Sequence, residues 1–323
     1  YGENNSEIIN QGKISLTGDK SIALYGNGSR VSSGSTAKIT IGKNGSGIYV
    51  LGANGINAGE LTIGEASVGM RVENGLIQNE SSGIIKSIAS NAIGMSQSRG
   101  TQNIKNNGKI SLTGDKSIAL HSEGITVANH KIINNGNIIM GDSSDSKNPS
   151  IGVYSANGIN STVESRGKIN VGNKSTGIYA GNINLTGSSE TISGNGGITI
   201  YSKEGVVNIS ENSKIATGET LGQGQEGIGV YLAGNSRVLN SNTDKITIGK
   251  GSFGYVMTGQ GNTIKTGKLG TTGVVNLAGD SLFIYSADKT GIIVNYNNLK
   301  STGDLNYGIY ASGRVDNRGT IDF

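Results

Sequence analysis

The sequence predicts an all-β chain wound as a parallel β-helix (β-solenoid) of about twelve coils of roughly 25 residues. Three observations carry this reading. Isoleucine outnumbers leucine 41 to 16, which favours strands, because β-branched side chains lose rotamer freedom in helices and pack well on a pleated surface. Residues 12–24 read GKISLTGDKSIAL, and residues 108–120 repeat the same thirteen letters at an offset of 96. Short apolar stretches punctuated by Gly, Asn, Asp and Ser then cover the whole chain, as strands joined by tight turns would.

Each coil is expected to hold three strands. The first is read in KISL, KITI, ELTI, IKSI, KISL, NIIM, KINV, NINL, KIAT, KITI and VVNL. The second carries a motif of apolar, small, apolar, Tyr; its third position falls at 24, 48, 70, 95, 120, 153, 178, 200, 230, 255, 284 and 309, most often 25 apart. The third is a short stretch such as RVSS, GLIQN, QNIKN, KIINN, RVLN or RVDN, ending near Asn or Gly. A sandwich of hairpins would show similar strands but has no reason to repeat one motif twelve times. A coil cannot bury its apolar face alone, so stacking supplies core and hydrogen bonds together.

Strand alternation predicts that motif positions one and three face the core while two and four face out. Position two is Gly in eight coils, including Gly47, Gly69, Gly94 and Gly152, and position four is Tyr in eight. The expectation is an outward column of stacked Tyr rings leaning over bare Gly backbone. Its functional version is a groove floored by peptide and walled by Tyr154, Tyr179, Tyr201 and Tyr231, suited to sugar rings or a partner's strand. The Asn-rich turns (NQGK, NNGK, NNGN, DNRG) read as architectural, with amides of successive coils bonding one another.

The sixth, eighth and ninth coils lengthen the gap between first strand and Tyr strand: Met140 to Val153, Leu185 to Ile200 and Thr217 to Val230. Three insertions in one turn would share one edge, where solenoids carry binding. The loops 141–150, 186–197 and 218–227 are polar, and their candidate binding residues are Asp142, Asp145, Lys147, Asn148, Glu190, Glu219, Gln223 and Glu226.

Composition and motifs exclude much else. The chain has no Cys, so it is neither a disulfide scaffold nor a thiolate metal protein. A scattered net charge of +4 asks for no nucleic acid. Gly222-Gln-Gly224-Gln-Glu-Gly227 fits a dinucleotide fingerprint but leads into a strand, and no Gly-Lys pair continues to Ser or Thr as a phosphate loop would. Asp142 and Asp145 lack a calcium-loop ladder. His121 fills the slot of Tyr25 in the duplicated copy, and His130 stands alone in a polar turn. No catalytic residue, metal or cofactor is expected.

The phrases NNGKISLTGDKSIAL, KITIGKNGSGIYV and NKSTGIYAGNINLTG resemble the passenger domains of fusobacterial type V autotransporter adhesins, the RadD-like group, and the resemblance spans the chain. It implies a right-handed β-helix, export through a C-terminal barrel that would be the only link to the membrane, and display on the outer membrane. It further implies attachment to other bacteria or to host-cell receptors or glycans. The chain is then a single segment, 1–323, of a larger passenger. The rival readings are a polysaccharide-degrading β-helix enzyme, a lyase or depolymerase, and a spacer that binds nothing.

Overall fold

A computed structural model describes residues 1–241, 244–270 and 273–323. Among them every strand pairing is parallel, and the one helical element is the short 3-10 turn Gly158–Asn160. Strands recur in three long stacks. Sheet 1 holds thirteen strands, from Gly2–Glu3 to Tyr307–Ala311, and contains all twelve Tyr-motif copies plus an N-terminal stub paired through Gly2 and Gly26. Sheet 2 also holds thirteen, from Glu7–Asn10 to Arg314–Asn317. Sheet 3 runs for ten strands, from Lys13–Leu16 to Ile246–Thr247, and a single bridge, Ile248 to Leu277, leads on to three more strands. The chain is a β-solenoid, about 58 Å long at the usual interstrand spacing.

The thirteen-letter repeat lies in register, as expected: Lys109, Ile110 and Leu112 occupy the same sheet 3 columns as Lys13, Ile14 and Leu16. One continuous core fills the tube, from Leu24 and Val31 to Ile293 and Leu299. Outside the two long loops, each turn from sheet 3 to sheet 1 has one left-handed residue two places before the Tyr strand. Lys20, Asn44, Lys116, Lys174 and Asp280 all take it, with φ between 55° and 59°, and Gly196 takes it at 63°.

The Tyr strand departs from simple alternation. Gly69 and Met70 are consecutive and both buried, and Val68 and Met70 pair with Ile93 and Met95 while Gly69 pairs with nothing. The strand therefore bends at position two, as at a bulge, and turns two successive residues inward. The Gly column lies inside the tube, not on its surface. A Cβ on Gly69 would sit 2.6 Å from the carbonyl oxygen of Gly94 in the next coil and 2.8 Å from the Ile85 side chain. The coil-to-coil approach is the cause of the Gly, and it is an internal one. The same bend puts position one outside: Ile22 is 42% exposed, and Val68, Ile93 and Ile118 are half-buried beside the Tyr column.

The Asn-rich turns behave as expected. Asn57, Asn79, Asn106 and Asn134 stand in one fully buried column, the first three each donating an amide N–H to the next coil's Oδ1 at 2.8, 2.9 and 2.9 Å. A buried amide is tolerated only when its hydrogen bonds are made, and stacking identical residues makes them.

Candidate binding surfaces

The outward column of sheet 1 is a ring ladder. His121, Tyr154, Tyr179, Tyr201 and Tyr231 pair in register and stack with centroids 5.4, 5.2, 4.6 and 5.1 Å apart. The interior rings spend both faces on one another, so the ladder shows solvent its edges and hydroxyls. Burial and neighbouring phenols hold Tyr154 and Tyr201 above the ordinary phenol pKa. Above Tyr231 the slot is Val256, and the Tyr231 hydroxyl accepts a hydrogen bond from Thr258 Oγ1 at 2.9 Å. Below His121 it is Ser96, whose hydroxyl lies 3.3 Å from Nδ1. His121 thus does the packing work of a Tyr, as its place in the repeat predicted, and burial depresses its pKa.

A groove floored by Gly does not lie beside these rings, since that Gly column is internal. Tyr154 and Tyr179 instead line a pocket of about 240 Å³ with Gly158, Gly181, Lys203 and Glu204. Its origin is a missing turn. Strand Thr176–Ala180 runs almost directly into Asn182–Leu185 through Gly181, whereas the coils on either side carry the longer turns 156–160 and 203–205. Lys203 and Glu204 are absent from the sequence-based candidates, because the notch depends on a shortened turn between two ordinary ones.

The loop edge is real but smaller than expected. Loops 141–150 and 218–227 both run from sheet 3 to sheet 1. The third supposed insertion is not one: NINL is strand Asn182–Leu185 of sheet 2, and residues 186–197 contain the sheet 3 strand Glu190–Ser193. Glu190 therefore projects from a strand, ion-paired to Lys168 at 3.1 Å, and does not belong to the loop edge. The sequence misassigned it because NINL has the same apolar rhythm as KINV.

The two true loops are tied together by a ladder that spans the coils between them. Asp142 Oδ1 accepts the Asn173 N–H at 2.8 Å, Asn173 Oδ1 accepts that of Asn195 at 2.9 Å, and Asn195 Oδ1 accepts that of Glu219 at 2.9 Å. Asp142 and Glu219 are thereby in one column, and the intervening Asn173 and Asn195 are links of the ladder that spacing alone did not single out. Loop 141–150 is further anchored below, where Asp115 accepts hydrogen bonds from the Ser144 N–H and hydroxyl, which hold its carboxyl below the usual range. Asp145 caps the tip by accepting the Lys147 N–H at 2.9 Å, leaving Lys147 and Asn148 exposed. In the other loop Glu226 accepts the Gly224 N–H at 2.9 Å, and Gln223 is exposed. No group of three or more His, Cys, Asp or Glu side chains able to hold a metal ion occurs among the described residues.

His130 is not in a polar turn. It lies wholly buried in strand His130–Asn134, with Nε2 2.8 Å from Gln97 Oε1 and Nδ1 2.9 Å from Ser161 Oγ. Gln97 is itself fixed by donating to the carbonyls of Gly75 and Gln102. Burial lowers the His130 pKa to about 4, so the ring is neutral at pH 7 and serves as a polar strut inside the tube. Compared with known families and proteins, the chain matches no family model, no curated protein and no solved structure.

Proposed function

We infer that the chain is a segment of a bacterial surface adhesin, a stiff rod that holds contacts away from the cell and attaches to a host-cell receptor or glycan or to a partner bacterium. The observation that carries this reading is the loop edge. Two long polar loops, on the same edge and three coils apart, are locked to the rod and to each other by the Asp142–Asn173–Asn195–Glu219 ladder. Loops held by a rigid scaffold bind without a large ordering cost. The resemblance to autotransporter passengers agrees with it, and so does nearest-neighbour stacking, which lets a chain fold coil by coil as it emerges.

The test is adhesion with the loops removed. Loop 141–150 is shortened to the four-residue turn 172–175 and loop 218–227 to the turn 194–197, both native to neighbouring coils. The unaltered protein should bind bacterial or host cells or a glycan array, and the shortened form should bind about tenfold or more weakly. Equal binding by the shortened form would remove the loops from the interface. A protein that binds no surface at all would be a spacer, and release of reducing or unsaturated ends from capsular or pectic polysaccharide would make it an enzyme.

A further inference from the structure

A second surface lies on a different corner of the tube, where sheet 2 turns into sheet 3. There a groove of about 570 Å³ runs along the axis across five successive coils, from Ser81 to Ser188. Its floor is bare backbone. Gly108, Gly136 and Gly167 follow one another coil by coil, and a Cβ on Gly136 or Gly167 would run into the carbonyl oxygen of the Gly before it. One wall is the turn column Asn107, Asn135, Arg166, whose N–H groups donate to the carbonyls of Asn79, Asn106 and Asn134 at 2.8, 2.8 and 2.9 Å. The other wall is the outward sheet 3 column Lys109, Asn137, Lys168.

The lining of this groove is cationic. Two outward lysines elsewhere on the rod meet a carboxylate, Lys86 with Glu60 and Lys131 with Glu164, both at 2.8 Å. Along this groove Lys168 is paired with Glu190 at 3.1 Å, but Lys109 has Ile84 and Asn137 as its register neighbours, and neither Lys109 nor Arg166 makes an ion pair among the described residues. The lining includes three cations and no carboxylate. It also includes an orphan: Asn137 Oδ1 is buried and accepts no hydrogen bond. Unpaired cations call for an anionic partner, and an unsatisfied acceptor calls for a hydroxyl or amide donor on the same partner.

We propose that this groove binds a linear acidic polysaccharide, holding its carboxylate or sulfate groups between the unpaired Lys109 and Arg166 and a sugar hydroxyl on the Asn137 amide. A straight axial trough suits an extended polymer, and Lys109 and Lys168 lie two coils apart, on the order of 10 Å along the axis. The lining has no aromatic ring on which bases could stack, which disfavours single-stranded nucleic acid. The proposal deepens the adhesin reading by naming a ligand class, yet it concerns residues remote in the coil from the loop edge, so the two fail separately.

The experiment titrates the protein with heparin, polygalacturonate, neutral dextran and a single-stranded oligonucleotide, comparing it with a K109E/R166E variant and a K13E/K38E control of equal charge change. All four positions are on the surface, and circular dichroism with the unfolding midpoint verifies that each variant folds. At least one acidic polysaccharide should bind in a salt-sensitive manner, dextran should not, and K109E/R166E should weaken binding about tenfold or more while K13E/K38E changes it little. N137A, which removes the orphan oxygen, should weaken binding severalfold. Equal loss in the control, equal binding of dextran, tighter binding of the oligonucleotide, or no binding of either acidic polymer would each overturn the proposal. Shortening the two loops should leave this binding intact.

Discussion

Two columns of this solenoid repeat one residue per coil and differ in what surrounds them. The inner column at the end of sheet 2 is Asn57, Asn79, Asn106, Asn134, then Ser165, Leu185 and Ile209, then Asn240. The outer column of sheet 1 is Tyr49, Arg71, Ser96, His121, then Tyr154, Tyr179, Tyr201 and Tyr231. Where the buried amides run unbroken, the outer rings are interrupted. Where the amides give way to Leu185 and Ile209, the rings stack without a gap. Stacked like residues stabilise both, but the inner ladder is an obligation of burial and the outer one an addition to it: an unpaired interior amide costs the full desolvation, whereas an edge-exposed ring can be lost to solvent cheaply.

The largest effect should come from breaking the inner column. Asn106→Leu leaves Asn134 Oδ1 buried without its donor and Asn79 Nδ2 short of its acceptor, and should cost about 3 kcal/mol in urea unfolding. The comparison sharpens in the double variant Asn79→Leu/Asn106→Leu: if orphaned partners set the cost, the second substitution adds less than the first, as Leu185 beside Ile209 already implies.

Next in size is a dependence on pH. The folded pKa of His130 lies below its unfolded value, so between pH 6.5 and 4 the unfolded chain binds the extra proton and stability falls as pH falls. Above the unfolded pKa the contribution is complete. Unfolding measured at pH 7 and pH 5 should differ by about 2 kcal/mol from this residue, and His130→Gln should flatten that interval.

The smallest effect belongs to the ring ladder. Tyr179→Ala removes two stacking contacts from a half-buried site and should cost about 1.5 kcal/mol. Tyr179→Phe, which keeps the ring, should be almost neutral. If Tyr179→Ala proved as costly as Asn106→Leu, the distinction between obligation and addition would fail.

Much of this was legible in the residues. The repeat gave the coil, the register of its copies, the Tyr stack, the Asn ladder and the placing of His121 in a Tyr slot. It also gave loops 141–150 and 218–227 a shared edge, although the ladder that sets Asp142 and Glu219 in one column came only with the structure. What misled was local rhythm. NINL and KINV have one pattern and lie in different sheets, so Glu190 was assigned to a loop although it stands on a strand.

The order of apolar and turn residues by itself determined that the chain winds, how often, and which side chains stack, because a repeat at fixed spacing places like on like. Only the tertiary structure decided which way each column faces. The bend at Gly69 and its counterparts arises from the approach of the next coil's carbonyl, and His130 is buried because Gln97 and Ser161 reach it from adjacent coils. Those contacts join residues some twenty-five or more positions apart, and no local pattern records them.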